Sequence, residues 1–154
     1  MEILEEEIDL TKLSPTHNVR FMLKLAKTDI LMYIIFENHN FYIEKENSQI
    51  PWLKVFTQEP YKELSDLDNE LRQQLWEIVN IIEKEMIEYY QPTKINIASF
   101  ANMLPRVHIH VMARFQDDNF YPNPIWGEKQ RDNELTLPDE EKFFKRVFAA
   151  LQKL

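Results

Sequence analysis

Residues 106–115 read Arg-Val-His-Ile-His-Val-Met-Ala-Arg-Phe, and this stretch constrains the chain more than any other. Apolar side chains stand at 107, 109, 111, 113 and 115; basic or imidazole groups stand at 106, 108, 110 and 114. Such strict alternation is the pattern of a β-strand with one face on a core and the other free. Alternate side chains share a face, so Arg106, His108, His110, Met112 and Arg114 are expected to project together. On a chain of formal net charge −8, that line of cationic and imidazole groups suits an anion such as phosphate. The functional site is expected here.

The rest of the chain sets bounds on that reading. At 154 residues it fits one domain with a proper hydrophobic core. Its acidic balance argues against general nucleic-acid binding, which needs a basic footprint, but leaves room for a small nucleotide in a local basic site. Cysteine is absent, which excludes disulfides, a thiolate nucleophile and a Cys-based zinc site. The first residues, Met-Glu-Ile-Leu-Glu-Glu-Glu, lack the basic start and apolar run of a signal peptide. No apolar run reaches bilayer-spanning length, so a cytoplasmic location with no membrane partner is expected. Gly127 is the single glycine, so a Gly-rich phosphate loop is excluded. A phosphate site must be built from side chains and from the N–H groups of non-glycine residues.

In chain order, residues 1–20 are expected to form an arm, acidic over 1–13, with Ser14-Pro15 able to start a short helix through Lys27. The apolar run 30–36, the turn-forming Glu37-Asn38-His39-Asn40 and the stretch 41–46 predict a hairpin. Residues 52–57 predict a third strand after Pro51. Leu64, Leu67, Leu71, Leu75, Ile78, Val79, Ile82 and Met86 recur at helical spacing, predicting a long amphipathic helix. Ser65, Asp66 and Asp68 are its candidate caps, and Gln91-Pro92 ends it. Residues 94–100 predict a fourth strand and the motif a fifth. After an irregular segment, Thr136-Leu137-Pro138-Asp139 caps a closing helix with Phe144, Val147, Phe148 and Leu151 on one side. The expected fold is α+β, with a five-stranded antiparallel sheet, the long helix and a C-terminal helix.

The residues leave three readings of His108 and His110. They can be polar groups on a solvated strand face. They can chelate a metal, since His-x-His on a strand is a ligand pattern. Against that, Arg106 and Arg114 repel a divalent cation, and His17 and His39 have no ligand-like spacing. Or a neutral imidazole can attack an electrophilic phosphorus, if a second group fixes its tautomer and donors neutralise the phosphoryl oxygens.

Residues 106–114 resemble the histidine-triad (HIT) signature, His-x-His-x-His followed by two apolar residues. His108 and His110 match the second and third histidines, and Arg106 stands in place of the first. Some bacterial HIT-like proteins carry glutamine there. Pro51-Trp52, Lys94-Ile95-Asn96, Ala101-Asn102 and residues 122–127 are similar to that subset, so the resemblance covers about residues 21–127, leaving 128–154 as an extension with a helix. It implies the HIT fold, a homodimer, and a nucleotide hydrolase, phosphoramidase or transferase needing no cofactor. By position it implies that His108 is the nucleophile and that His110 binds phosphate and assists the leaving group. It further implies that Asn96 and Asn102 lie near phosphate and nucleoside, with Glu46 the nearest match to a ribose-binding acid. Arg106 is expected beside His108 as a fork for phosphoryl oxygens. Trp76, Ile81 and Ile87, outside the main helical stripe, fit a subunit contact. The loop before the motif has Ala101 and Met103 where glycine and serine are usual. A binding protein of HIT fold without turnover is the alternative, and a metal-dependent hydrolase the third reading.

Overall fold

A computed structural model describes residues 20–25 and 28–154, with side chains from residue 33 onward. Its strands are β1 (Arg20–Leu25), β2 (Thr28–Glu37), β3 (Phe41–Lys45), β4 (Trp52–Thr57), β5 (Lys94–Ala98) and β6 (His108–Arg114). Helix α1 (Asn69–Tyr90) lies between β4 and β5, and α2 (Glu140–Leu151) follows β6. The strands form one antiparallel sheet in the order β1-β2-β3-β4-β6-β5. All five predicted strands are present.

β1 is a sixth strand and a correction. Residues 20–25 were expected to continue a helix through Lys27, but they pair with β2 from Arg20↔Tyr33 to Leu25↔Thr28. β3 pairs β2 only over 33–37, so the 28–32 half of that strand would otherwise lack a ladder for its backbone groups. That ladder requirement overrides the local helix signal. The remainder of the expected arm, including His17 and the start of the expected helix, lies outside the described residues.

The helices form where the apolar stripes and caps place them. The Asp68 side chain accepts from the Leu71 N–H at 2.8 Å and starts α1. Gln91, in the left-handed region, ends it, its N–H bonded to the Ile87 carbonyl. Leu75, Ile78, Val79, Ile82 and Met86 are buried against Leu53, Val55, Ile109 and Val111 of the sheet. Asp139 caps α2 through the Glu141 N–H at 3.1 Å, and Phe143, Phe144, Val147 and Leu151 complete the core. Both helices therefore cover the face that carries Val107, Ile109, Val111 and Ala113.

The opposite face of β6 is not free, contrary to the simplest reading of its alternation. Every residue from His108 to Arg114 is buried. The chain after β6 turns back across the sheet: the Asn119 N–H meets Gln49 Oε1 at 3.1 Å, and Trp126 packs against Trp52. A polar strand face is here the floor of a covered site.

Candidate active site

Strand register fixes the neighbours of the histidines. On β4, Phe56 pairs with His108, Lys54 with His110 and Trp52 with Met112; on β5, Ala98 pairs with His110 and Asn96 with Met112. The His108 ring stacks on Phe56 at 4.6 Å and 17°, and Phe56 stacks on Tyr42 at 4.8 Å and 1°. The Nδ1 of His108 lies 2.9 Å from the carbonyl oxygen of Arg106. A carbonyl can only accept, so Nδ1 carries the hydrogen, and in the neutral ring the unshared pair is on Nε2. In His110 the logic is reversed. Trp52 Nε1–H, a group that can only donate, reaches His110 Nδ1 at 3.0 Å. His110 therefore carries its hydrogen on Nε2. Burial pushes its pKa down to about 4, with His108 and Lys54 adding to the effect, so the ring stays neutral. The two imidazoles, 4.9 Å apart, present one lone pair and one donor.

The cations around them are tied up differently. Lys54 bridges Glu46 at 2.6 Å and Glu44 at 3.3 Å. Burial works against its charge, but the two carboxylates hold its pKa above the ordinary lysine value. Arg114 is 1% exposed and forms a two-pronged ion pair with fully buried Asp118, Nε to Oδ2 at 2.8 Å and Nη2 to Oδ1 at 3.0 Å. The same guanidinium donates to Asn96 Oδ1 at 2.9 Å and to the Asn123 carbonyl at 2.8 Å. Arg106 lies just before β6. One terminal nitrogen of its guanidinium donates to the carbonyls of Thr57 and Gln58, and the group lies 5.7 Å from the centres of both the Tyr42 and Phe56 rings. That nitrogen of the expected phosphate fork thus meets backbone oxygens.

The HIT-domain family model matches residues 30–117. The chain belongs to the HIT family. Among solved structures it is similar to a histidine triad protein from Marinobacter aquaeolei VT8, at 27% identity and TM-score 0.60, covering 79% of this chain and 87% of that one. A histidine triad protein from Bradyrhizobium japonicum is 25% identical with TM-score 0.61, over 79% and 89% of the two chains. One from Sinorhizobium meliloti 1021 shares the fold at 23% identity and TM-score 0.64, over 77% and 89%. No curated protein matches the chain.

Within this HIT domain the structure brings His108 and His110 together and distributes the other expected residues around them. Asn96 is on the histidine face of β5, its Oδ1 taken by Arg114. Glu46 follows β3 and is held by Lys54. Asn102 is exposed in the β5–β6 loop, beside Ala101, which adopts φ 51°, a conformation that favours glycine. With Lys62, Ser99 and Phe100, the loop borders an open groove of about 480 Å³. Among the described residues, no three His, Cys, Asp or Glu side chains are grouped to hold a metal ion. No described helix is long and apolar enough to cross a membrane.

Sequence reasoning missed Trp52, Lys54, Phe56 and Asp118 as parts of the site. The first three alternate along β4, so their common face was readable; that β4 lies beside β6 was not. Trp126, on the returning loop, closes over His110 with ring centres 5.1 Å apart and also touches Phe100 at 4.6 Å.

Proposed function

We propose that this HIT protein hydrolyses, or transfers the nucleotidyl group of, a small phosphorylated nucleoside through His108. The observation that carries the reading is the pair of complementary tautomers, a lone pair on His108 Nε2 beside an N–H donor on His110 Nε2. In the first step His108 Nε2 attacks phosphorus, a P–N bond forms, and the bond to the leaving group breaks. His110 Nε2–H donates a hydrogen bond to the phosphoryl oxygen and eases the build-up of charge there, while the departing amine or oxygen takes its proton from solvent water. Water then attacks the same phosphorus and gives its proton to solvent, the P–N bond breaks, and His108 regains its lone pair. Asn102 and the N–H groups of its loop assist phosphate binding in this scheme. Asn96 orients that side of the site, and Glu46 takes sugar hydroxyls with Glu44 beside it.

Replacing His108 with asparagine is expected to lower kcat on adenosine 5′-phosphoramidate by at least ~10³-fold, because the covalent route is lost. Near-normal turnover by His108→Asn would reject the scheme. Absence of turnover by the wild type, with nucleoside monophosphate still bound, would favour a binding protein of the same fold.

The reading includes a homodimer in the cytoplasm. Trp76 and Ile87 on α1 and Ile97 on the edge strand β5 are exposed, which suits a subunit contact, whereas Ile81 packs on the core. Light scattering at micromolar concentration is expected to give twice the 18.7 kDa chain mass; a monomer refutes it.

A further inference from the structure

Arg106 stands where the family signature has its first histidine, and its surroundings explain what an arginine does there. β4 and β6 run as a ladder only as far as Phe56↔His108. Beyond it β4 breaks into a turn: Thr57 Oγ1 donates to the Glu59 carbonyl at 2.6 Å, and the Tyr61 N–H donates to the same oxygen at 2.9 Å. Had the ladder continued, residues 57 and 58 would have faced 107 and 106. Their carbonyls instead receive the Arg106 guanidinium. Unpaired backbone acceptors at a covered strand end are costly, and a guanidinium can span the widening gap to serve two at once. A neutral imidazole has a single N–H and a shorter reach.

The main chain of the same residue is held in turn. The Arg106 N–H donates to the Leu104 carbonyl at 2.7 Å, and the Val107 N–H donates to the Tyr61 carbonyl at 2.6 Å. Between these two bonds lies the Arg106 carbonyl, which accepts from His108 Nδ1. The guanidinium also lies over Phe56, the ring on which His108 stacks. Arg106 therefore touches both features that orient the imidazole, its hydrogen-bond acceptor and its stacking partner.

We infer that Arg106 is a positioning residue, whose guanidinium, closed on the Thr57 and Gln58 carbonyls and on Phe56, holds its own carbonyl at His108 Nδ1 and thereby fixes the tautomer that leaves Nε2 free. This rests on His108 as the nucleophile, but it is testable without turnover. The readouts are the ¹⁵N shifts of the His108 ring nitrogens and the scalar coupling across a hydrogen bond from the Arg106 guanidinium to the Thr57 carbonyl carbon. The wild type is expected to show His108 protonated on Nδ1 and a detectable coupling. Arg106→Met, which keeps the stem and removes the donors, is expected to give a mixture of tautomers, and Arg106→Lys to restore part of the wild-type pattern. On adenosine 5′-phosphoramidate, Arg106→Met is expected to lower kcat about 10- to 100-fold with little change in KM, as for a displaced nucleophile.

A wild-type tautomer in Arg106→Met would overturn the inference, since the Val107–Tyr61 bond alone would then hold the carbonyl. So would a rise in KM with kcat unchanged, the mark of a direct phosphate contact. If Arg106→Met does not fold, the wild-type coupling decides: its presence supports the inference and its absence overturns it. Failure of the nucleophile assignment shows elsewhere, as turnover by His108→Asn.

Discussion

The two ends of β6 carry the two arginines of one alternating pattern, yet they are built to different standards. At the C-terminal end Arg114 and Asp118 are sealed from water, and the carboxylate also accepts from the N–H groups of Phe115, Phe120 and Tyr121. At the N-terminal end Arg106 is half-buried, its Nε is buried without a partner, and nearby Ala101 takes a left-handed φ of 51°. The well-satisfied end anchors the loop that brings Trp126 over the site. The less satisfied end holds the reactive imidazole. Strain and incomplete pairing gather where chemistry is expected, and the opposite end supplies the rigidity that tolerates them.

The largest expected effect tests the anchored end. Asp118→Ala leaves a buried guanidinium without its counter-charge, which costs roughly 3–5 kcal/mol when a buried pair is broken from one side. Denaturant unfolding measures this directly. Arg106→Met is expected to cost less, about 1–3 kcal/mol, since it frees two carbonyls beside a partly open turn. Equal losses would show that the two ends are structurally alike and break the contrast.

The next effect separates the ends by pH. His110 has a folded pKa near 4 against an ordinary 6.5, so the unfolded chain binds its proton first. Its contribution is intact above pH 6.5, and stability falls as pH drops towards 4, by about 3 kcal/mol in all. Asp118 behaves as a carboxylate with a lowered pKa. Burial opposes the shift, but the Arg114 bond and three backbone N–H groups win. Its contribution is present above the ordinary value of 3.8 and disappears only below it. Unfolding followed against pH should therefore show the histidine end weakening first. Trp52→Phe removes the indole donor but keeps the burial that lowers the His110 pKa, so it should leave most of the upper window in place. Trp52→Ala, which opens the ring to water, should flatten the upper window while leaving the lower one. A single loss below pH 4 would mean that His110 is not held neutral by its surroundings.

Much of this was legible in the chain, and the omissions have physical causes. The stripe of α1, the cap at Asp68 and the alternation of β6 are local patterns, and each element formed where its pattern lay. Alternation assigned Arg106, His108, His110 and Arg114 to one face, but it could not assign their partners. Arg114 turned to Asp118 because the chain reverses immediately after the strand, and Arg106 turned to carbonyls exposed by the divergence of β4. Both outcomes depend on neighbours that are distant in sequence or on a turn that has no strong local signal. Trp52 and Phe56 illustrate the same limit. Their shared face follows from period two, but their contact with the histidines follows from strand order.

The smallest expected effect concerns the loop that leads into the reactive end. Ala101 holds φ 51°, a conformation in which its Cβ crowds the following carbonyl and which costs an L-residue roughly 1–2 kcal/mol. Ala101→Gly removes that crowding but gives the unfolded chain more freedom, which costs about 0.4–1 kcal/mol. The net is a gain of about 0.5–1 kcal/mol, or about one to four degrees in Tm for a domain of this size. Gain in stability need not bring gain in rate. Asn102 is next in the loop and exposed, so a looser glycine hinge should spread its positions and raise KM for a nucleotide while leaving the anchored end untouched. Differential scanning calorimetry and steady-state kinetics on the one variant read both quantities. A higher Tm with a higher KM fits a strained loop that helps to order the phosphate side. A lower Tm would mean that the alanine methyl makes a packing contact worth more than its backbone strain, and the N-terminal end would then be less strained than its dihedral suggests.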